Sequence, residues 1–163
     1  MMTLLSAALA IDAQRYGPDG TFTAVTSDSR AIAAGDLFVA IKGDHFDGHA
    51  FVADAIRQGA TGALVSQKFA AAHPELPLIA VADTRLGLGE LAAAWRSRFT
   101  LPLIGVTGSN GKTTVKEMCA AILRTQGGEV LATAGNLNND IGLPLTLLKL
   151  RDTYTSAVIE MGM

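Results

Sequence analysis

The sequence predicts an α/β fold in two parts, because apolar runs of strand length alternate with helical segments along the chain. In the first part, residues 1–98, the apolar runs lie at residues 37–41, 63–65 and 78–81. In the second part, residues 99–163, the predicted order is strand, glycine-rich loop, helix, strand, helix, strand. That order is typical of a parallel, doubly wound sheet, so we predict a small α/β domain followed by the start of a parallel-sheet domain.

The first part contains one clear helix before residue 83. Apolar residues recur through residues 51–56, and Gly59 is expected to end this helix as its C-terminal cap. Asp83 or Thr84 then caps a second helix that passes through Trp95. Pro102 cannot continue that helix, and we therefore predict the domain boundary near residue 98.

The second part begins with a strand at residues 103–106, and the helix after the glycine-rich loop extends to Gln126 and ends at Gly127 and Gly128. A strand near residues 130–132, an asparagine-rich turn, a helix opened by Pro144 and a strand at residues 157–159 complete the pattern. Three strands make an incomplete nucleotide-binding sheet, so we expect the chain to be part of a longer protein.

The segment TGSNGKTT, residues 107–114, predicts an ATP-binding phosphate loop. Its glycines let backbone N–H groups point at phosphate oxygens, and the helix that follows adds its positive N-terminal dipole. Lys112 is expected to reach the β- and γ-phosphates, and the Thr113 hydroxyl to bind Mg²⁺. The loop is a variant, because Val106 replaces the first glycine of the strict pattern. The predicted ATP-binding residues are Gly108, Ser109, Asn110, Gly111, Lys112, Thr113 and Thr114.

Two other features of the second part allow a functional and a structural interpretation. Glu160 ends a strand predicted to neighbour the phosphate-loop strand, where it is either a second Mg²⁺ ligand or a solvated strand end. Asn136, Asn138 and Asn139 either orient a polar substrate or form a turn through local backbone hydrogen bonds.

Polar residues of the first part suggest a site for a phosphorylated, hydroxyl-rich ligand. They occur in TSDSR, residues 26–30, and in the segment from Lys42 to His49. His45 and His49 have the spacing of metal ligands, but in a glycine-containing loop such spacing is usually accidental, and we predict no metal there.

Composition excludes several classes of function. The formal net charge is −2, and no run of basic residues is present, so neither nucleic acid nor an anionic membrane is expected as a partner. The single cysteine, Cys119, lies on an apolar helix stripe and predicts a buried thiol. The apolar N-terminus lacks a basic region and reaches Asp12 too soon for a signal peptide, so we expect a cytoplasmic protein.

Five segments together resemble the Mur ligases, the ATP-dependent amide-forming enzymes of peptidoglycan precursor assembly. They are TGSNGKTT, TSDSR, GDLFVAIKG, DGHAF and NLNNDIGLPLTLL, and the match extends over essentially the whole chain. TSDSR and GDLFVAIKG are shared by the branch that adds the third residue and the branch that adds D-alanyl-D-alanine. NLNNDIGLPLTLL and the closing IEMGM resemble the second branch.

The resemblance implies the reaction and the site residues. The γ-phosphoryl group of ATP would pass to the terminal carboxylate of UDP-N-acetylmuramoyl-tripeptide, and the amine of D-alanyl-D-alanine would attack the acyl phosphate. Mg²⁺ would lie on Thr113 and Glu160, with Lys112 and Glu160 in catalytic roles, and substrate beside Asn136, Asn138 and Asn139. The residues expected at the UDP-muramoyl end are Ser27, Asp28, Ser29, Arg30, Lys42, Gly43 and His45.

Two alternatives remain open at the level of the sequence. One is the ligase that adds the third residue, a diamino acid, to UDP-N-acetylmuramoyl-dipeptide. The other is a binding module that captures a nucleotide or UDP-sugar without chemistry. The family's second metal site, base pocket and amine site have no counterpart in these residues, so we expect residues 1–163 alone to lack ligase activity and to bind nucleotide weakly.

Overall fold

A computed structural model describes residues 1–43 and 46–162. The chain divides into two compact units, the first comprising Met1–Leu91 and the second beginning at Ala92. The division falls inside the helix Thr84–Arg96, whereas the predicted boundary near residue 98 follows that helix. Trp95 explains why the end of the helix groups with the second unit, since its indole N–H donates to the carbonyl of Leu150 at 3.1 Å.

The elements are numbered along the chain. The strands are β1 Met2–Thr3, β2 Gln14–Tyr16, β3 Thr21–Phe22, β4 Ala24–Thr26, β5 Asp36–Val39, β6 Gly62–Ser66, β7 Leu78–Val81, β8 Leu103–Val106, β9 Glu129–Ala132 and β10 Tyr154–Glu160. The helices are α1 Leu4–Ala10, α2 Val52–Arg57, α3 Gln67–Ala72, α4 Thr84–Arg96, α5 Lys112–Thr125 and α6 Gly142–Leu147, and a short 3₁₀ turn, Gly48–Phe51, precedes α2.

The first unit is built on a five-stranded sheet in the order β2-β7-β6-β5-β4. The strands β4 to β7 are parallel, and β2 pairs with β7 in the antiparallel direction. Side chains of the sheet form a core with α2 and α3, in which Phe38, Val52 and Leu78 are fully buried. The carboxyl ends of β5, β6 and β7 therefore lie at one edge of the sheet, supported by a packed core.

The predicted helices of this unit are confirmed, but the expectation of one clear helix before residue 83 is wrong. Gly59, with φ +109°, follows α2, and the Asp83 carboxylate accepts N–H groups at the start of α4. Helices α1 and α3 were not predicted. Both are short, six or seven residues, and are capped by hydroxyls, of Thr3 and Ser66, that a search for long apolar periodicity overlooks.

The second unit contains a parallel sheet in the order β8-β10-β9, as the doubly wound pattern predicted. The register pairs Glu160 with Val106, so the last residue of β10 lies beside the last residue of the phosphate-loop strand. The buried side of α5 packs on this sheet through Ala120, which contributes to a core with Val106 and Val158. The predicted α/β fold class is confirmed.

Part of the apolar surface of the second unit is exposed. Ile104 on β8 and Val115, Met118 and Ile122 on α5 are 39%, 47%, 60% and 60% exposed. Cys119 is half-buried rather than fully buried, because it lies beside this exposed side of α5. Within the described residues, no helix is long and apolar enough to cross a bilayer.

Candidate functional site

The loop between β8 and α5 has the geometry of a phosphate-binding turn. Gly108 and Gly111 have φ values of +141° and +73°, which side chains with a Cβ rarely adopt. Gly111 immediately precedes α5, so the N–H groups of the first helical turn face the loop. The Lys112 ammonium donates to the Gly108 carbonyl at 2.8 Å and thus lies across the loop it is predicted to serve.

Glu160 is the centre of a hydrogen-bond network beside this loop. The residue is 2% exposed. The Thr113 hydroxyl donates to Oε2 at 3.1 Å, and the Asn138 carboxamide donates to Oε1 at 2.8 Å. The backbone N–H of Glu160 donates to the Thr133 hydroxyl at 2.8 Å. The fold thus joins a residue of α5 and two residues of the connection between β9 and α6 to one glutamate.

These contacts keep Glu160 ionised. The hydrogen bond from Asn138 is the strongest influence and lowers the pKa of Glu160, while burial acts in the opposite direction. The Thr113 hydroxyl and the positive charges of Lys116 and Lys112 lower the pKa further. A buried carboxylate held in its charged form is suited to binding a cation.

The donor set fits Mg²⁺ in company with phosphate. Mg²⁺ prefers oxygen ligands, and usually takes one or two carboxylates while keeping substrate phosphates and water in its remaining positions. The hydroxyl of Thr113 and the carboxylate of Glu160 are oxygen ligands that already touch each other at 3.1 Å. Within the part of the chain that the structure describes, no group of three or more His, Cys, Asp or Glu residues forms a metal cage.

The three asparagines of the segment between β9 and α6 differ in their contacts. Asn138 is half-buried and holds Glu160, which links the segment to the candidate magnesium site. The Asn139 carboxamide oxygen accepts the N–H groups of Gly142 at 2.7 Å and Ile141 at 3.3 Å, and so caps the start of α6. Asn136 is exposed. Asn139 therefore fits the interpretation as a local turn, whereas Asn138 contacts the glutamate of the candidate magnesium site.

Lys116 was not predicted as a site residue. Its side chain is 1% exposed, its ammonium donates to the Thr133 carbonyl at 2.7 Å, and it lies 3.8 Å from Glu160 Oε2. Spacing alone gives one signal that would have found it: Lys116 lies one helical turn after Lys112 and Thr113, on the side of α5 that continues from the loop.

The first unit contains a separate cavity of about 650 Å³. It lies at the carboxyl ends of β5, β6 and β7, where open parallel sheets commonly bind ligands. Its lining combines cationic side chains with two carboxylates and an aromatic ring. The lining residues are Lys42, Asp47, His49, Ser66, Lys68, Phe69, Ala72, Ala82, Asp83, Thr84 and Arg85.

His49 is fixed inside this cavity by both ring nitrogens. Nε2 accepts the backbone N–H of Ser66 at 2.9 Å, so the proton lies on Nδ1, which is 2.6 Å from the Asp47 carboxylate. That hydrogen bond is the largest cause of the lowered pKa of Asp47. With both nitrogens engaged, His49 does not offer a metal ligand.

The structure brings only part of the predicted UDP-binding set into the cavity. Lys42 lines it, and Gly43 follows directly. His45 lies outside the described residues. Ser27, Asp28, Ser29 and Arg30 follow the edge strand β4 and are not among the lining residues.

Within that edge segment, Asp28 and Arg30 form an ion pair. The Arg30 guanidinium donates to both Asp28 oxygens, at 2.9 and 2.8 Å, and lowers the pKa of Asp28 to about 2.

Four cavity residues were not predicted from the sequence, because they follow two different strands and only the fold brings them together. They are Ser66, Lys68, Phe69 and Arg85.

Two family profiles match the chain. One is described as "Mur ligase family, catalytic domain" and matches residues 21–96, and the other as "Mur ligase middle domain" and matches residues 106–163.

Individual relatives are similar over nearly the whole chain. The UDP-N-acetylmuramoyl-tripeptide--D-alanyl-D-alanine ligase of Escherichia coli (strain K12) is 48% identical over 161 residues, which are 99% of this chain and 35% of that protein. A crystal structure of MurF from Acinetobacter baumannii matches with a TM-score of 0.87 and 38% identity, covering 99% of this chain and 36% of that one. MurF from Thermotoga maritima in complex with ADP matches with a TM-score of 0.71 and 35% identity, covering 85% and 31%. The chain thus spans about a third of the length of the relatives it matches.

Proposed function

This chain belongs to the Mur ligase family, and on that premise we propose that it forms the nucleotide-activating and precursor-binding part of an ATP-dependent amide ligase. The proposed reaction joins D-alanyl-D-alanine to UDP-N-acetylmuramoyl-tripeptide with release of ADP and phosphate, in the cytoplasm. The single observation that carries the proposal is the hydrogen bond between Thr113 and Glu160, because it links the phosphate loop to a buried, ionised carboxylate.

The roles of the residues follow from their chemistry. Backbone N–H groups of residues 108–114 and the dipole of α5 would hold the phosphates of ATP. The Lys112 ammonium would release the Gly108 carbonyl and neutralise charge on the γ-phosphoryl oxygens. Thr113 and Glu160 would hold Mg²⁺, which offsets the negative charge of the phosphates when it is bound.

The reaction itself needs positioning rather than a covalent step on the protein. A carboxylate oxygen of the tripeptide attacks the γ-phosphorus, the bond to the β–γ bridging oxygen breaks, and ADP leaves. The amine of D-alanyl-D-alanine then attacks the acyl carbon, loses a proton, and expels inorganic phosphate. Both steps join groups brought together by binding, so positioning and charge neutralisation together supply the rate gain.

The cavity of the first unit is the proposed site for the UDP-linked end of the precursor. Lys42 and Lys68 supply positive charge for a diphosphate, and Phe69 supplies an aromatic face. Ser27, Asp28, Ser29, Arg30 and Gly43 stay proposed contacts of the same ligand, and Asn136, Asn138 and Asn139 stay proposed neighbours of the tripeptide. We also keep residues 1–98 and 99–163 as the proposed domain division.

The test is the choice of amine. In an enzyme of full family length that carries these residues, ADP release should require both UDP-N-acetylmuramoyl-tripeptide and D-alanyl-D-alanine. ADP release with a diamino acid and UDP-N-acetylmuramoyl-dipeptide, but not with the first pair, would instead identify the ligase that adds the third residue. Binding of ATP and of a UDP-linked precursor, with no ADP release for either pair of substrates, would identify a binding module.

A further inference from the structure

Lys116 occupies an unusual position for a lysine. It lies in the first half of the 14-residue helix α5, which has several exposed side chains, yet its own side chain is 1% exposed. Lysine is rarely buried to this degree unless it is paired. Among the described residues, Lys116 is the only buried lysine or arginine, so its partners must account for its position.

Its partners converge on the candidate magnesium carboxylate. The Lys116 ammonium donates to the Thr133 carbonyl at 2.7 Å, and the hydroxyl of the same threonine accepts the backbone N–H of Glu160 at 2.8 Å. The ammonium also lies 3.8 Å from Glu160 Oε2. Thr133, itself 1% exposed, therefore joins the lysine of α5 to the end of β10.

The charges around Glu160 indicate that the contact with Lys116 is electrostatic as well as structural. The two hydrogen bonds to its carboxylate come from neutral groups, the Thr113 hydroxyl and the Asn138 carboxamide. Lys112 also carries a positive charge, but its ammonium is held by the Gly108 carbonyl. The charge 3.8 Å from Glu160 Oε2 is that of Lys116, which cannot turn into solvent without leaving the Thr133 carbonyl unsatisfied. Glu117 also lies near the ammonium, at 3.0 Å, but its side chain is 58% exposed and water screens its charge.

We propose that Lys116 is a positioning residue for Glu160 whose ammonium serves as a built-in counter-charge for the magnesium carboxylate. A fixed cation beside this carboxylate repels a second cation, and so weakens binding of a free divalent ion. The negative phosphates of a nucleotide offset that repulsion. The metal therefore binds with the nucleotide and leaves with it, while the carboxylate stays ordered between turnovers.

The inference rests on the proposed metal role of Thr113 and Glu160, and the experiment separates the two. The probe is Mn²⁺, titrated into the purified protein with and without excess ADP and followed by the electron paramagnetic resonance signal of free Mn²⁺. For Mn²⁺ alone, Lys116→Met should bind about tenfold more tightly than the wild type, because the repelling charge is gone. Lys116→Arg, which keeps the charge, should bind like the wild type, and Glu117→Gln should stay within about twofold because its charge is screened.

The sign of the change distinguishes a counter-charge from a purely structural lysine. A structural role predicts looser packing and weaker Mn²⁺ binding in Lys116→Met. Lys116→Gln removes the charge while keeping an N–H donor, and it should show the same tighter Mn²⁺ binding if the methionine variant does not fold. If Glu160→Gln lowers Mn²⁺ affinity but the neutral variant binds Mn²⁺ more weakly than the wild type or equally well, the counter-charge is wrong and the proposed metal site stands. If Glu160→Gln changes nothing, the proposed metal site is wrong and the inference falls with it.

Discussion

In the first unit, the charged residues that line the cavity reach solvent, whereas in the second unit the central charge, Glu160, is 2% exposed and held by hydrogen bonds. Lys42 and Lys68 are exposed, and the Asp47 side chain is 48% exposed. Solvated charges act on a ligand largely independently, because water screens each from the next. Buried charges depend on their partners, so removing one partner disturbs the others. The two sites should therefore respond differently to single substitutions.

The largest effect is expected at the phosphate loop of the second unit. In the full-length enzyme, Lys112→Ala removes the ammonium that neutralises the γ-phosphoryl oxygens, and turnover should fall by about a hundred- to a thousandfold. The measurement is the steady-state rate of ADP release. Lys149→Ala, an exposed lysine of the same unit, is the control and should keep normal turnover. Near-normal turnover in Lys112→Ala would remove the phosphate-loop interpretation.

A second effect tests whether the buried network acts as a unit. Asn138→Ala removes the hydrogen bond to Glu160 Oε1, and the Mg²⁺ concentration for half-maximal activity should rise by about tenfold or more. Asn139→Ala is the matched comparison, since its carboxamide caps α6. It should lower the free energy of unfolding by about 1 kcal/mol and leave the Mg²⁺ requirement unchanged. Equal Mg²⁺ requirements in both variants would contradict the network.

A smaller, graded effect is expected in the cavity of the first unit. Lys42→Ala and Lys68→Ala should each raise KM for the UDP-linked substrate by about fivefold to tenfold, because each removes one contact to a diphosphate. Since that contact is the same in ground state and transition state, kcat should not change. Steady-state kinetics at varied UDP-substrate measures both values. A loss of kcat without a change in KM would show that this cavity is not the UDP site.

The smallest effect concerns pH and stability. The hydrogen bond from His49 lowers the pKa of Asp47, so its stabilising contribution is present above the ordinary aspartate pKa of about 3.9 and disappears as the pH falls through the lowered value. Asp47→Asn should therefore reduce stability at pH 7 by less than about 1 kcal/mol, because the side chain is half-exposed. Thermal unfolding of the two proteins should converge once the pH has fallen below the lowered pKa of Asp47. A difference that grows as the pH falls would contradict this assignment.

Local patterns explain what the sequence revealed in the second unit. The loop from Gly108 to Thr113 is contiguous, so its spacing alone predicts a phosphate site. Glu160 was singled out because strand ends of a parallel sheet are common ligand positions. Lys116 was not predicted as a site residue, because a lysine within a helix is ordinarily solvated. Its burial depends on Thr133 and Glu160, which are distant in sequence.

In the first unit, the buried strands β5, β6 and β7 were predictable, whereas the short strands β1 to β4 and the site were not. Buried runs such as residues 78–81 are continuous and apolar, so the sequence alone indicates that they are strands. The cavity combines Lys42, Ser66 and Arg85 from three separate strand ends, and only the folded sheet brings them together. The helices α1 and α3 were missed because neither carries a boundary signal like the glycine that ends α2 or the proline that opens α6, and their hydroxyl caps were overlooked.

The most direct test of two distinct sites is a chemical-shift titration of the isotopically labelled 163-residue protein, first with UDP and then with ADP and Mg²⁺. We predict that UDP shifts the amide resonances of residues around the cavity, including Lys42, Ser66 and Arg85, whether or not Mg²⁺ is present. ADP should shift residues 108–116 and Glu160, and the shift at Glu160 should require Mg²⁺. Shifts from UDP that fall on the phosphate loop and spare the cavity, or shifts from ADP at Glu160 that ignore Mg²⁺, would contradict this account.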